Sequence, residues 1–202
     1  MALEMGHSVL LVDQRSHGQS SGGTITFGIK ERRDVLSWLN YVNERVGTNT
    51  PAFLWGISMG AATVLMAADQ KLPGNVAGIL ADCPYSSPKA IIKKVCEEDL
   101  HLSATFMYPF IRLSARLFGG FNLEESSAPE AVKSTHIPIL LIHGEADFFV
   151  PCRMSREIKE ACPSITLLTV PEAGHGLAYM VAPDKYKEAV RSFINLHSQK
   201  NI

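Results

Sequence analysis

The pentapeptide Gly56-Ile57-Ser58-Met59-Gly60 has the residue types and spacing of a reactive serine. It fits the pattern G-x-S-x-G, and it stands between an apolar run, "PAFLWGI", and a segment rich in small residues, "MGAATVLMAADQ". A sharp turn from a strand into a helix tolerates only small flanking residues and exposes the serine hydroxyl at its tip. We therefore predict that Ser58 is a nucleophile and that the backbone N–H of Met59 is an oxyanion donor. The alternative is a tight strand-to-helix turn without chemistry.

A serine hydroxyl becomes a good nucleophile only when a base takes its proton. In this strand–turn–helix arrangement, an acid and then a histidine follow the serine along the chain. Asp147 follows the apolar run "PILLIHG", and His175 lies in "PEAGHG" after the next apolar run. We predict His175 as general base and Asp147 as the carboxylate that orients the imidazole. Taken singly, Asp147 also fits a helix N-cap and His175 an ordinary loop histidine.

Other polar residues near strand ends carry weaker signals. Asp82 also follows an apolar run, where it fits either a substitute acid or a loop cap. His143 stands just before the acid loop and is interpreted as structural, and His17 is interpreted as pinning the loop "RSHGQS". The four cysteines have neither CxxC nor zinc-site spacing and are interpreted as free, partly buried thiols: Cys83, Cys96, Cys152 and Cys162.

Alternating strand and helix signals must position these residues. Compact apolar runs predict strands at 8–13, 51–57, 75–83, 136–144 and 164–170. Helical spacing and small-residue content predict helices at 28–46, directly after Ser58, at about 154–161 and from Pro183 onward, with a helix tail in "MALEMG". Because the strands are continuously apolar rather than alternating, they favour an α/β fold with a mostly parallel sheet and helices on both faces.

The segment at about 86–135 interrupts this alternation. It is too long for a simple connection and contains several prolines and glycines within an apolar stretch. We predict a single domain, 1–202, with a core at 1–85 and 136–202 and a helical insertion at about 86–135. Aromatic and apolar residues of the insertion suggest either an apolar substrate pocket or packing of the insertion onto the core: Phe106, Tyr108, Phe110, Leu117, Phe118 and Phe121.

Composition excludes several classes of function. The 202 residues are 46% apolar and 19% charged, with a formal charge of −1 and no basic stripe, so no footprint of nucleic-acid binding is present. No apolar run is long enough to span a bilayer, and the N-terminus does not resemble a signal peptide, so we expect a cytoplasmic location. Metal-ligand spacing and nucleotide-binding motifs are absent from the sequence, so no cofactor is implied.

Six stretches, in order along almost the whole chain, resemble the α/β-hydrolase superfamily, and most closely its bacterial branch of acyl-esterase and prolyl-oligopeptidase-like domains. They are "DQRSHGQSSG", "TFGIKERRDVLSWL", "GISMGAA", "ADCPYSS", "IHGEADFFVP" and "EAGHG". The resemblance implies the α/β-hydrolase fold, a triad of Ser58, Asp147 and His175, and a cap at about 86–135. It also implies a serine hydrolase that cleaves a small-molecule carboxylic ester through an acyl-enzyme, with a peptidase or amidase of the same fold as the alternative.

The sequence departs from the family at its front. In the family, three strands precede the one predicted at 8–13, and the third of them lies between that strand and the serine strand. The loop after this third strand supplies the second oxyanion donor. The resemblance therefore implies an N-terminally truncated fold, in which the two strands close up or a second copy of the chain fills the gap as a homo-oligomer. A non-catalytic fragment or binding module is the alternative from a different class.

Overall fold

A parallel sheet is the centre of the computed structural model, which describes residues 1–198. Its four strands lie in chain order, β1-β2-β3-β4, and every neighbouring pair is parallel. The strands are β1 (Ala52–Ile57), β2 (Val76–Asp82), β3 (Ile139–Gly144) and β4 (Thr166–Val170). The predictions at 51–57, 75–83, 136–144 and 164–170 are therefore confirmed, with small differences at the strand ends.

Helices cover both faces of this sheet, as the sequence predicts. They are α1 (Glu31–Val46), α2 (Met59–Met66), α3 (Pro88–Lys94), α4 (Ala104–Leu117), α5 (Ala128–Val132), α6 (Arg153–Ala161), α7 (Ala178–Val181) and α8 (Pro183–Ser198). Short 3-10 turns at Leu3–Met5 and Ala67–Asp69 and a π turn at Val95–Asp99 complete the set. Within residues 1–198, no helix combines the length and apolar character needed to cross a membrane.

Alternate residues of the central strands belong to two different cores. Ile79 of β2 and Leu141 of β3 pack with α2, α5 and α6 on one face. Leu80 of β2 and Leu140 of β3 pack with α7 and α8 on the other. Because successive side chains of a strand point to opposite faces, a strand covered on both sides must be apolar at every position. This requirement explains the continuous apolar runs of β2 and β3.

The strand predicted at 8–13 is wrong. These residues belong to no strand, and Leu11 is 89% exposed. Within residues 1–198, β1 is an edge of the sheet, and segment 8–13 does not pair with it. An apolar run becomes a strand only when a neighbouring strand satisfies its N–H and C=O groups, and this run has no such neighbour in the described part of the chain.

The segment at 86–135 is helical, as predicted, and contains α3, α4 and α5. Part of it has a small core of its own, which includes Ile92, Cys96 and Tyr108. The last helix, α5, packs instead against the sheet in the same layer as α2 and α6. The division of the domain into a core and a cap stays a prediction.

Replacement of Leu141 by alanine tests the core that supports the sheet. The side chain of Leu141 is 0% exposed, so Leu141→Ala leaves a cavity and lowers the free energy of unfolding by about 2–5 kcal/mol. Leu196→Ala is the matched control, because Leu196 is 62% exposed and its truncation changes stability by less than about 0.5 kcal/mol. Urea denaturation measures both, and equal midpoints for the two variants would contradict this packing.

Candidate active site

The turn that carries Ser58 is strained. Ser58 lies between the last residue of β1 and the first of α2 with φ 54° and ψ −118°, and a positive φ is unfavourable for any residue with a side chain. Two contacts hold the turn in place. The N–H of Ser58 donates to the carbonyl of Asp82 at 2.8 Å, and a Cβ on Gly56 would lie 2.3 Å from the carbonyl of Gly60. Only glycine at position 56 lets the helix start this close to the strand.

A chain of two hydrogen bonds joins Ser58, His175 and Asp147. The Oγ of Ser58 lies 2.8 Å from Nε2 of His175, and Nδ1 of His175 lies 2.7 Å from Oδ2 of Asp147. An ionised carboxylate can only accept, so the imidazole proton is on Nδ1, and Nε2 accepts from the serine hydroxyl. The structure thus brings together the three side chains that the sequence singled out. Each follows the end of a different parallel strand.

Asp147 is buried, and its two oxygens have separate partners. Oδ1 accepts from the N–H of Phe149 at 3.0 Å and from that of Val150 at 2.8 Å. Oδ2 faces His175 and lies 3.3 Å from Nε2 of His143. Burial raises the pKa of Asp147, but the hydrogen bonds with His143, His175 and Val150 outweigh it and hold this pKa well below its usual range. The carboxylate is therefore ionised and fixed in position.

His143 holds the loop that carries this carboxylate. Its ring is fully buried, and Nε2 donates to the carbonyl of Val150 at 2.8 Å. That bond places the ring proton on Nε2, so Nδ1 accepts from the hydroxyl of Ser155 at 2.7 Å. His17 similarly donates to the carbonyl of Arg15 at 2.9 Å in its own loop. Both histidines have the structural positions that the sequence suggested.

Asp82, the other candidate acid, is held by a different partner. The hydroxyl of Tyr186 donates to its Oδ2 at 3.0 Å, inside the core beneath α8. Burial raises the pKa of Asp82 above its usual value, against the opposing effect of the Tyr186 hydrogen bond. The carboxylate that bonds to His175 is Asp147.

Cys83 is the neighbour of this site that the sequence analysis did not identify. It directly follows β2, has φ 48° and is fully buried. Its Sγ, a carboxylate oxygen of Asp147 and a ring nitrogen of His175 all lie within 4.8 Å of one another. Burial, aided by the nearby Asp82 carboxylate, raises the pKa of this thiol to about 12. The sequence signal that could have identified Cys83 is its position at the end of a central strand. The carboxyl ends of parallel strands meet at one edge of the sheet, so residues that follow them lie close together.

Apolar residues of the insertion fall into two groups. Tyr108 is buried and Phe121 partly buried, so these two pack the insertion together. Phe106, Phe110 and Phe118 are exposed. A cleft of about 680 Å³ opens between α4 and the loop at 23–25, and the residues that line it do not include the serine or the histidine. An apolar substrate pocket over Ser58 therefore stays a prediction.

A strained serine turn at the end of a parallel strand, with an imidazole and a carboxylate from the following strands, defines the hydrolase class of α/β proteins. The family profile described as "alpha/beta hydrolase family" matches residues 2–189. The chain belongs to this family.

Known proteins similar to the chain include both sequence relatives and a solved structure. YqkD of Bacillus subtilis is 25% identical over 194 residues, which cover 96% of this chain and 64% of YqkD. The lysophosphatidylserine lipase ABHD12 of Danio rerio is 23% identical over 167 residues, covering 76% of this chain and 39% of that protein. The chain therefore spans less than two thirds of the length of these relatives. The esterase Pf2001 of Pyrococcus furiosus matches with a TM-score of 0.74 and 23% identity, over 98% of this chain and 74% of the esterase.

A substitution at Gly56 tests the packing of the serine turn. Because an added Cβ would overlap the backbone of Gly60, Gly56→Ala forces the start of α2 away from β1 and destabilises the protein by about 1–3 kcal/mol. Gly74→Ala is the matched control, since a Cβ there meets no atom within 4 Å. Urea denaturation compares the two variants, and wild-type stability of Gly56→Ala would show that the turn is looser than described.

The lowered pKa of Asp147 predicts a contribution to acid sensitivity. A carboxyl group whose pKa is depressed by folding stabilises the native state above its unfolded pKa of about 3.9, and this stabilisation is lost as the pH falls through that value towards the folded pKa. In Asp147→Asn the free energy of unfolding should therefore fall less between about pH 5.5 and pH 3 than in the wild type. Glu160→Gln, at an exposed position on α6, should keep the wild-type slope in the same urea titrations. An unchanged slope for Asp147→Asn would contradict the prediction.

Proposed function

We propose that this chain carries the active site of a serine hydrolase that cleaves a small-molecule carboxylic ester through an acyl-enzyme on Ser58. The observation that supports it is the hydrogen-bonded series Ser58–His175–Asp147, which starts at a strained turn and ends at an ionised, buried carboxylate. This is the geometry that a weak alcohol nucleophile requires, with a base in contact and a third group that orients the base.

In the proposed reaction, Oγ of Ser58 attacks the ester carbonyl while Nε2 of His175 takes the hydroxyl proton. Asp147 keeps the Nδ1 proton in place and stabilises the imidazolium that forms. The Met59 N–H is among the first amides of α2 and so has no acceptor within the helix, which leaves it free for the oxyanion. The imidazolium returns its proton to the departing alcohol. Water then attacks the acyl-enzyme with the same base, releasing the acid and restoring Ser58.

Cys83 is the competing nucleophile at this site, and its environment argues against it. A thiol attacks as its thiolate, and burial raises the pKa of Cys83 to about 12. Its side chain has no exposed surface. Ser58 stands at the tip of the turn with its hydroxyl already bonded to the base. These differences support the serine as the attacking group.

Similarity to known proteins supports an ester as the substrate. The esterase Pf2001 and the lysophosphatidylserine lipase ABHD12 are similar to this chain, and both are named for ester or lipid cleavage.

Covalent labelling tests the proposed nucleophile. The folded wild-type protein should react with a fluorophosphonate probe, and Ser58→Ala should abolish the labelling, because the probe phosphonylates only an activated serine. Ser103→Ala, a replacement at an exposed serine outside the site, should keep it. Absence of labelling in folded wild-type protein would support a non-catalytic binding module instead.

Turnover of 4-nitrophenyl acetate tests the role of the carboxylate and the substrate class. Asp147→Asn should lower kcat by roughly 10²–10⁴-fold, because the amide favours the wrong imidazole tautomer. Ser58→Ala should reduce the rate to background. A matched 4-nitroanilide substrate separates the alternatives, since faster cleavage of the anilide than of the ester would identify a peptidase or amidase.

A further inference from the structure

A second set of polar atoms meets at the proposed active site. The Sγ of Cys83, a carboxylate oxygen of Asp147 and a ring nitrogen of His175 lie within 4.8 Å of one another. They come from the chain after β2, after β3 and after β4, so the sheet brings three ligand types to one point. The proposed hydrolysis uses only the last two and leaves the thiol without a role.

These three groups match the ligand preferences of a thiophilic divalent cation. Thiolate, imidazole and carboxylate all bind Zn²⁺, at about 2.3, 2.0–2.1 and 2.0–2.2 Å respectively. Tetrahedral geometry at these bond lengths places ligand atoms roughly 3.4–3.6 Å apart. The three ligand atoms lie within 4.8 Å of one another, so closing the cluster around an ion needs shifts of up to about 1 Å.

Hydrogen bonds around the cluster hold its carboxylate in place. Burial raises the pKa of Cys83 to about 12, so a cation must displace the thiol proton in order to bind. The amides of Phe149 and Val150 anchor Oδ1 of Asp147 and leave Oδ2 facing the cluster. Fixed outer hydrogen bonds of this kind orient metal ligands. A thiolate and a carboxylate together also balance the charge of a divalent cation in a buried place.

Access to the cluster is through the histidine. The side chain of His175 is 27% exposed, whereas that of Asp147 is 0% exposed. The ring of Phe149 packs edge-on against the imidazole of His175, with the two ring centroids 5.1 Å apart. The imidazole is therefore the member of the cluster that solvent reaches.

We propose that Cys83, Asp147 and His175 form an inhibitory site for a thiophilic divalent cation such as Zn²⁺. Binding forms one metal–sulfur, one metal–nitrogen and one metal–oxygen bond, releases the Cys83 thiol proton to solvent and leaves the fourth position to water. Coordination through Nε2 removes the lone pair that faces Ser58. Coordination through Nδ1 moves the imidazole proton to Nε2, with the same result. The inhibition rests on the proposed function, whereas the binding does not.

Cobalt spectroscopy tests the binding by itself. Chelator-treated wild-type protein titrated with Co²⁺ should develop the near-ultraviolet charge-transfer band of a cobalt–thiolate bond. Cys83→Ser should lose the band, and Cys162→Ser should keep it, because Cys162 is a buried free thiol outside the cluster. His175→Ala, a change at a partly exposed position, provides a second variant and should weaken Co²⁺ binding. Absence of the band in wild-type protein, or its persistence in folded Cys83→Ser, would overturn the site.

Inhibition is measured separately with 4-nitrophenyl acetate. Zn²⁺ should stop wild-type turnover and a chelator should restore it, while Mg²⁺, which prefers oxygen ligands, should have no effect. Relative to its own uninhibited rate, Cys83→Ser should need at least ~100-fold more Zn²⁺, since even the loss of an outer-shell partner costs 10–100-fold in affinity. Equal sensitivity of wild type and Cys83→Ser would overturn the inhibitory role. A cobalt band in a protein without esterase activity would uphold the site and reject the proposed function.

Discussion

Parallel pairing sets Ile57 of β1 beside Asp82 of β2, Asp82 beside Ile142 of β3, and Gly144 of β3 beside Val170 of β4. The carboxyl ends of the four strands are level as a consequence, and each connection that leaves them starts at one edge of the sheet. The serine, the carboxylate, the imidazole and the thiol all arise within a few residues of those ends. A shift of one residue in any pairing would turn the side chains of that strand to the other face and separate the groups.

The same strand register also holds the serine turn in its strained backbone conformation. Ser58 has a backbone conformation that costs on the order of 1–3 kcal/mol, and such a conformation persists only where its surroundings fix it. The hydrogen bond to Asp82 ties the turn to β2, and the absence of a side chain on Gly56 lets α2 begin against the strand. The strand that bears the thiol therefore also determines where the hydroxyl stands, so the two groups cannot move independently.

Sequence reasoning predicted β2, β3 and the serine turn correctly because each of them depends on a local pattern. The runs of β2 and β3 are buried on both faces and are apolar except for Asp82 and His143 near their carboxyl ends. The serine pentapeptide needs its small residues for contacts within the turn itself. It failed for 8–13, because strand formation depends on a neighbour that an apolar run does not specify. It also did not identify the proximity of Cys83 to His175, since this proximity depends on how two connections fold above the sheet.

The position of β1 at an edge of the sheet affects how easily this strand opens. Within residues 1–198 it pairs only with β2, and its side chains are mostly half-buried, whereas those of β2 and β3 are fully buried. A strand with one partner opens locally at a lower free energy than a strand held on both sides, so its amide hydrogens exchange sooner with solvent. Ser58 thus stands at the end of an edge strand, which opens more easily than β2 or β3. Anything that paired with the free side of β1 would slow that exchange and lengthen the time for which the serine stays aligned with its base.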